Sequence, residues 1–220
     1  MNPAPRVWKQ SRNGRALDLV EPRADQVSFA EIADQLALIN RYVGASTVAV
    51  SVANHTLIAY RAAERAGATE RERALVLLHD AHESRIGDKA TPVKAMEFAI
   101  AREMFGAAVE DTLRQVMAEV ERRHDAAIYA AAGIDPPSEA EHAFVKYCDI
   151  VALNTERRDF LTRPPMPWGA AIEAVPPLPS RQCLLPPAAA ALALHELFIS
   201  HLPGARRMSA RTAPVSRRSA

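Results

Sequence analysis

Apolar positions recur three and four residues apart over most of this chain, the period of helices that bury one face. Ser28 and Glu31 have the spacing of a capping box, and Ile32, Leu36 and Ile39 then line one side of a first helix. Gly44 to Thr47 breaks it. Residues 52–66 read as a second helix ending at Gly67. Thr69 with Glu72 opens a third, with Ala74, Leu75, Leu77 and Leu78 as core candidates. Gly87 and Pro92 mark a loop. Two helices are expected over 93–105 and 107–132, the second stopped by the turn at 133–137. Ser138, with Glu141 three residues on, caps a helix to about Phe160. The proline-rich stretch 162–187 is expected to wrap the surface, and a last helix covers 188–201.

The ends lack this period. Residues 1–27 read as irregular or short extended structure. The stretch after Gly204 has five arginines, no acidic residue and no apolar repeat, and is expected to be disordered. The pattern therefore predicts one all-α domain over 28–203, with an irregular N-terminal segment and an arginine-rich tail over 204–220.

Composition agrees. Alanine is abundant and only 5% of the residues are aromatic, which favours helices over strands. A formal charge of +1 gives no global field for nucleic acid or membrane. Cys148 and Cys183 are the two cysteines, too few and too far apart for a disulfide framework. Met1 to Gln10 has no apolar signal core. The apolar run 188–199 is too short to span a bilayer and contains His195 and Glu196. A cytoplasmic protein in a reducing compartment is the expectation.

The chemistry starts at His79-Asp80, at the end of a buried stretch. Glu83 lies four residues after His79 and three after Asp80, so it projects to the same side. His55 sits on the preceding amphipathic helix and Asp149 on a later one. Two imidazoles and two carboxylates can bind a divalent transition metal and leave positions open for water and substrate. Glu83 would stand beside that metal as an acid/base.

These residues resemble the HD-domain superfamily, whose ligands follow the order His, His-Asp, Asp. The resemblance sharpens towards its 5'-deoxynucleotidase branch. Ser51-Val52-Ala53-Asn54-His55-Thr56, His79-Asp80-Ala81-His82-Glu83, Gly87-Asp88 and Thr91-Pro92-Val93-Lys94 all stand at the family spacing. Gly14-Arg15-Ala16-Leu17-Asp18-Leu19 is similar to a bacterial and phage-type subset, so the resemblance covers roughly residues 8–160. It implies an HD-domain helical bundle, with metal ligands His55, His79, Asp80 and Asp149 and with Glu83 and Asp88 as catalytic carboxylates. Arg41 would bind phosphate, with Tyr42 against base or sugar. Lys94 either balances phosphate charge or caps a loop. The cofactor implied is one divalent transition metal, whether cobalt, manganese, zinc, iron or nickel. The substrate implied is a deoxynucleoside 5'-monophosphate, and the quaternary state a homo-oligomer. Two departures stand out: Asn54 where the branch has Glu or Gln, which could alter how His55 is oriented, and His82 in place of a small residue.

Other readings compete. A deoxynucleoside triphosphate triphosphohydrolase shares the ligand pattern, and a nucleotide-binding regulator would keep the pocket without turnover. A nucleic-acid-binding protein would need the arginine tail for nearly all its affinity. His124-Asp125, a second His-Asp pair in a charged helix, reads as solvated surface. His142, His195 and His201 lack a partner pattern. Glu156, Arg157, Arg158 and Asp159 read as surface ion pairs, and Cys148 as a packed thiol.

Overall fold

The computed structural model describes residues 7–212 and is mostly helical. The expected caps are present. Ser28 accepts from the Glu31 amide at the start of α1 (Phe29–Leu36), and Ser51 accepts from that of Asn54 at the start of α2 (Val52–Arg65). Complete capping boxes, Thr69 with Glu72 and Ser138 with Glu141, open α3 (Glu70–Leu78) and α7 (Glu139–Phe160). A short α4 (Glu83–Ile86) follows the turn after α3, and α5 (Thr91–Phe105) and α6 (Ala107–Ala132) form an antiparallel pair. The single-turn helix α8 (Ala170–Glu173) lies in the proline-rich stretch, before α9 (Pro187–His201).

Helix α2 is the centre of the molecule. It packs against α1, α3, α7 and α9, and every residue from Val52 to Tyr60 is buried. One core lies on one side of it, where Phe29, Leu36, Leu57, Leu77, Ile128, Leu194 and Phe198 meet. The second, with Val50, Ile58, Val76, Cys148, Val151 and Phe160, lies on the other. A helix covered all round must satisfy its polar side chains inside the protein. That is why His55, four residues into it, has no exposed surface. Among the described residues, no helix is long and apolar enough to cross a membrane.

The N-terminal segment holds the short extended structure expected of it, whereas the C-terminal stretch departs from the reading of the pattern. Trp8–Gln10 and Ala16–Asp18 pair as the antiparallel strands β1 and β2, joined by a turn in which Gly14 has φ 76°. This hairpin is tied to the helices. Arg15 and the Asn13 amide bond Glu31 of α1 at 2.7 and 2.9 Å, and Lys9 donates to the Ser84 carbonyl in α4 at 2.7 Å.

The tail expected to be disordered begins as a helix, α10 (Pro203–Thr212), docked on α6 and α9. Leu202 and Ala205 are buried and Met208 packs beside them, so a spacing of three was present but carried by one small and two larger residues. Gly204 lies so close to α6 that a Cβ would fall 1.8 Å from the Ala131 carbonyl oxygen. Arg206 donates to the carbonyls of Ile199 and Ser200, satisfying the open end of α9. Residues 213–220 of the expected tail, and 1–6 of the N-terminal segment, lie outside the described residues.

Candidate metal centre

Helix α2 brings His55 to the end of α3, where His79 is the C-cap and Asp80 opens the turn to α4. The Nε2 atoms of the two imidazoles stand 3.2 Å apart. Asp80 Oδ2 is 3.2 Å from the His79 Nε2 and 3.6 Å from that of His55. Helix α7 adds Asp149, whose Oδ1 is 3.2 Å from the His55 Nε2. His55, His79 and Asp80 each offer one ligand atom, and these lie within 4.8 Å of one another, so the triad could hold a metal ion.

The hydrogen bonds behind the imidazoles fix what they present. His79 Nδ1 lies 2.7 Å from the Val76 carbonyl, which can only accept, so Nδ1 carries the proton. His55 Nδ1 lies 2.8 Å from Glu156 Oε1, with the same consequence. Both Nε2 atoms then face each other and two carboxylates, a set of nitrogen and oxygen atoms that could share a cation, whether a proton or a metal ion. The carboxylates also draw positive charge to this point. Burial and the Arg41 guanidinium oppose charge on His55, but Glu156 and Asp149 hold its pKa above the ordinary histidine value. Asp80 does the same for His79 against burial. Despite burial, the imidazoles keep Asp80 and Asp149 well below the usual carboxylate range.

Arg41 and Tyr42 reach this centre through a residue that sequence reading left on the surface. Glu156 is fully buried on α7, two turns after Asp149 and therefore on the same face. Besides His55, it accepts from Arg41 Nε at 3.2 Å and from the Tyr42 hydroxyl. Arg41 NH1 is also 3.4 Å from Asp80 Oδ2. The seven-residue spacing was a usable signal, masked by the charged neighbours Arg157, Arg158 and Asp159. Those three do form ion pairs, but they also tie down the following segment: Arg157 bonds Glu173, Arg158 the Leu178 carbonyl, and Asp159 the Gln182 amide. Orientation of His55 thus rests on Glu156. Asn54 turns away, bonding the Leu185 backbone at 3.0 and 2.8 Å.

Glu83 Oε2 is buried without a hydrogen-bond partner, and burial, Asp80 and Asp88 push its pKa up to about 9. Asp88 is half-buried; burial raises its pKa, partly offset by Arg41. Lys94 is paired with Glu121 of α6 at 2.7 Å. A cavity of about 580 Å³ lined by Asn40, Ser51, Asn54, Leu185 and Pro186 includes none of the candidate metal or substrate residues.

His124 is not the solvated residue the sequence suggests. It is fully buried, one turn before Ala127 and Ile128 on the core face of α6. Burial and Arg85 push its pKa down to about 4. Asp125 instead accepts from His82 Nδ1 at 3.0 Å, so the residue replacing a small one is tied to α6. His201 bonds the Tyr60 hydroxyl and Glu70, joining α9 to α2 and α3. Cys148 is a packed thiol, as expected.

No family model matches the chain. The chain is similar to an uncharacterized protein of Rhodobacter capsulatus, 43% identical over 94 residues; the match covers 41% of this chain and 48% of that protein, so the chain spans about half the length of the curated relative it matches.

Proposed function

We propose that this chain is a metal-dependent phosphohydrolase of the HD-domain type, converting deoxynucleoside 5'-monophosphates to deoxynucleosides and phosphate. The observation that carries the reading is the His55, His79 and Asp80 triad, with Asp149 Oδ1 3.2 Å from the His55 Nε2 and an arginine alongside that is held by two carboxylates. The residues fit a divalent metal: both imidazoles present Nε2, and mixed nitrogen and oxygen donors suit cobalt, manganese, zinc, iron or nickel. Such a metal supplies a Lewis acid for a phosphoryl oxygen and acidifies water.

The remaining steps belong to side chains. Arg41 faces the centre and neutralises charge on the phosphate as the P–O bond to the nucleoside breaks. Glu83, whose Oε2 is buried without a hydrogen-bond partner, moves the proton between attacking water and the departing nucleoside oxygen. Asp88 stands close enough to act on Glu83's charge, and on this reading it would contact sugar or phosphate. A monophosphate is favoured over a triphosphate because Arg41 is the guanidinium brought to the centre, whereas Lys94 is paired on α6. The reading includes a homo-oligomer; exposed Met96, Ile100 and Met104 along α5 support it.

The test is a phosphate-release screen of deoxy- and ribonucleoside mono-, di- and triphosphates against each of the five metals. Phosphate released from deoxynucleoside monophosphates is the expected result. A protein that takes up metal yet releases phosphate from none of these substrates would overturn the assignment.

A further inference from the structure

The proline-rich segment after α7 carries no buried residue in α8, yet it is fastened to α7 at several points. The Glu173 carboxylate takes two bonds from Arg157, at 2.5 and 3.1 Å, and a third from the Trp168 amide at 3.0 Å. Asn154 donates to the carbonyls of Ile172 and Val175, both at 2.7 Å. The segment packs Val175 and Leu178 into the second core, and the same bonds hold an indole in place. Trp168 is half-buried, its ring centroid 6.3 Å from that of Tyr42 at an angle of 46°. The Arg157 guanidinium stands 5.2 Å from the indole centroid.

Tyr42 is already joined to the metal centre, through Glu156 to His55, and it follows the phosphate-binding candidate Arg41 in the chain. Tyr42 and Val43 both adopt left-handed backbone, at φ 60° and 52°, although neither is glycine and Val43 is 76% exposed. A tyrosine turned this way by the backbone, and met by an indole from a separate, anchored segment, makes an aromatic rim beside the phosphate position.

We propose that Trp168, with Tyr42, forms a subsite that receives the base of a nucleotide whose phosphate lies at Arg41 and the metal ligands. This rests on the nucleotide reading above and names a residue beyond the stretch in which the sequence resembles HD-domain proteins. Stacking on an indole does not depend on the hydrogen-bonding edge of the base, so purines and pyrimidines are both accepted. Arg157 adds a cation to the same surface.

The test uses Trp8→Phe protein, in which Trp168 is the remaining tryptophan, loaded with the metal that the phosphate-release screen selects. It is titrated with a non-hydrolysable 5'-phosphonate analogue of a deoxynucleotide and, separately, with deoxyribose 5-phosphate, reading indole emission and equilibrium dialysis. The nucleotide analogue should change the emission and the sugar phosphate should not. Trp168→Ala should weaken the analogue by roughly 10-fold or more while leaving sugar phosphate affinity unchanged, and Trp168→Phe should restore most of the loss. Equal loss for both ligands, or none for either, would make Trp168 a packing residue for Tyr42 and overturn the subsite while the hydrolase reading stands. If wild type bound neither ligand, the nucleotide reading itself would fall, and the subsite with it.

Discussion

The dipeptide His-Asp occurs twice in this chain, at 79–80 and at 124–125, and the fold surrounds the two copies differently. At the first, each imidazole near the site has its Nδ1 bound to an acceptor, and Nε2 points at carboxylates. At the second, His124 is enclosed on the core face of α6 with no hydrogen bond of good geometry, beside the cation Arg85, while its neighbour Asp125 serves His82. Both histidines are buried. What separates a candidate ligand from a core residue is the sign of the surrounding charge and the acceptor behind the ring.

The sharpest way to break the comparison is at the first pair. Asp80→Ala should lose bound metal and, with it, at least about 10²-fold in turnover. Glu83→Ala should keep the metal and still lose about 10²–10⁴-fold if, as proposed, it handles a proton and does not ligate. Metal per chain after dialysis, measured beside phosphate release, separates the two. Equal metal loss in both variants would make Glu83 a ligand. Next in size is Glu156→Gln, which keeps the shape but removes the charge behind His55. Metal affinity should fall roughly 10–100-fold, read by competition with a chelating dye; unchanged affinity would leave Glu156 with only a packing role.

The smallest effect concerns the second pair and is one of stability. The folded pKa of His124, about 4, lies below the ordinary histidine value, so its contribution is fully present above about pH 6.5 and is lost as pH falls towards 4. Replacing it by leucine should remove this sensitivity. Between pH 7 and pH 5, His124→Leu should gain on the order of 2 kcal/mol relative to wild type in urea unfolding, without change in metal content. Parallel pH profiles for the two proteins would show that His124 is not buried in the neutral form.

Much of this was legible in the chain, for stated reasons. The capping residues Ser28, Thr69 and Ser138 announce themselves by local chemistry, so α1, α3 and α7 begin where expected. The run from Val52 to Lys94 likewise placed His55, His79, Asp80 and Glu83 together. Contacts across the fold were harder to see. Glu156 reads as a surface charge until α7 is wrapped onto α2. His124 looks solvated because its neighbours in sequence are charged, although its neighbours one turn on are Ala127 and Ile128. The docking of α10 was hidden because close approach at Gly204 and Ala205 depends on small side chains, which leave little hydrophobic signal.

The N-terminal hairpin has a consequence for how freely this sequence can vary. Lys9 grips the carbonyl of Ser84, the residue that follows Glu83, and Arg15 grips Glu31 on α1. A segment that reads as irregular in the sequence is a brace for the turn carrying the proposed acid/base. Trimming or re-engineering the first strand should therefore disturb that turn without touching a candidate ligand, and substitutions at Lys9 and in α4 are not independent of one another.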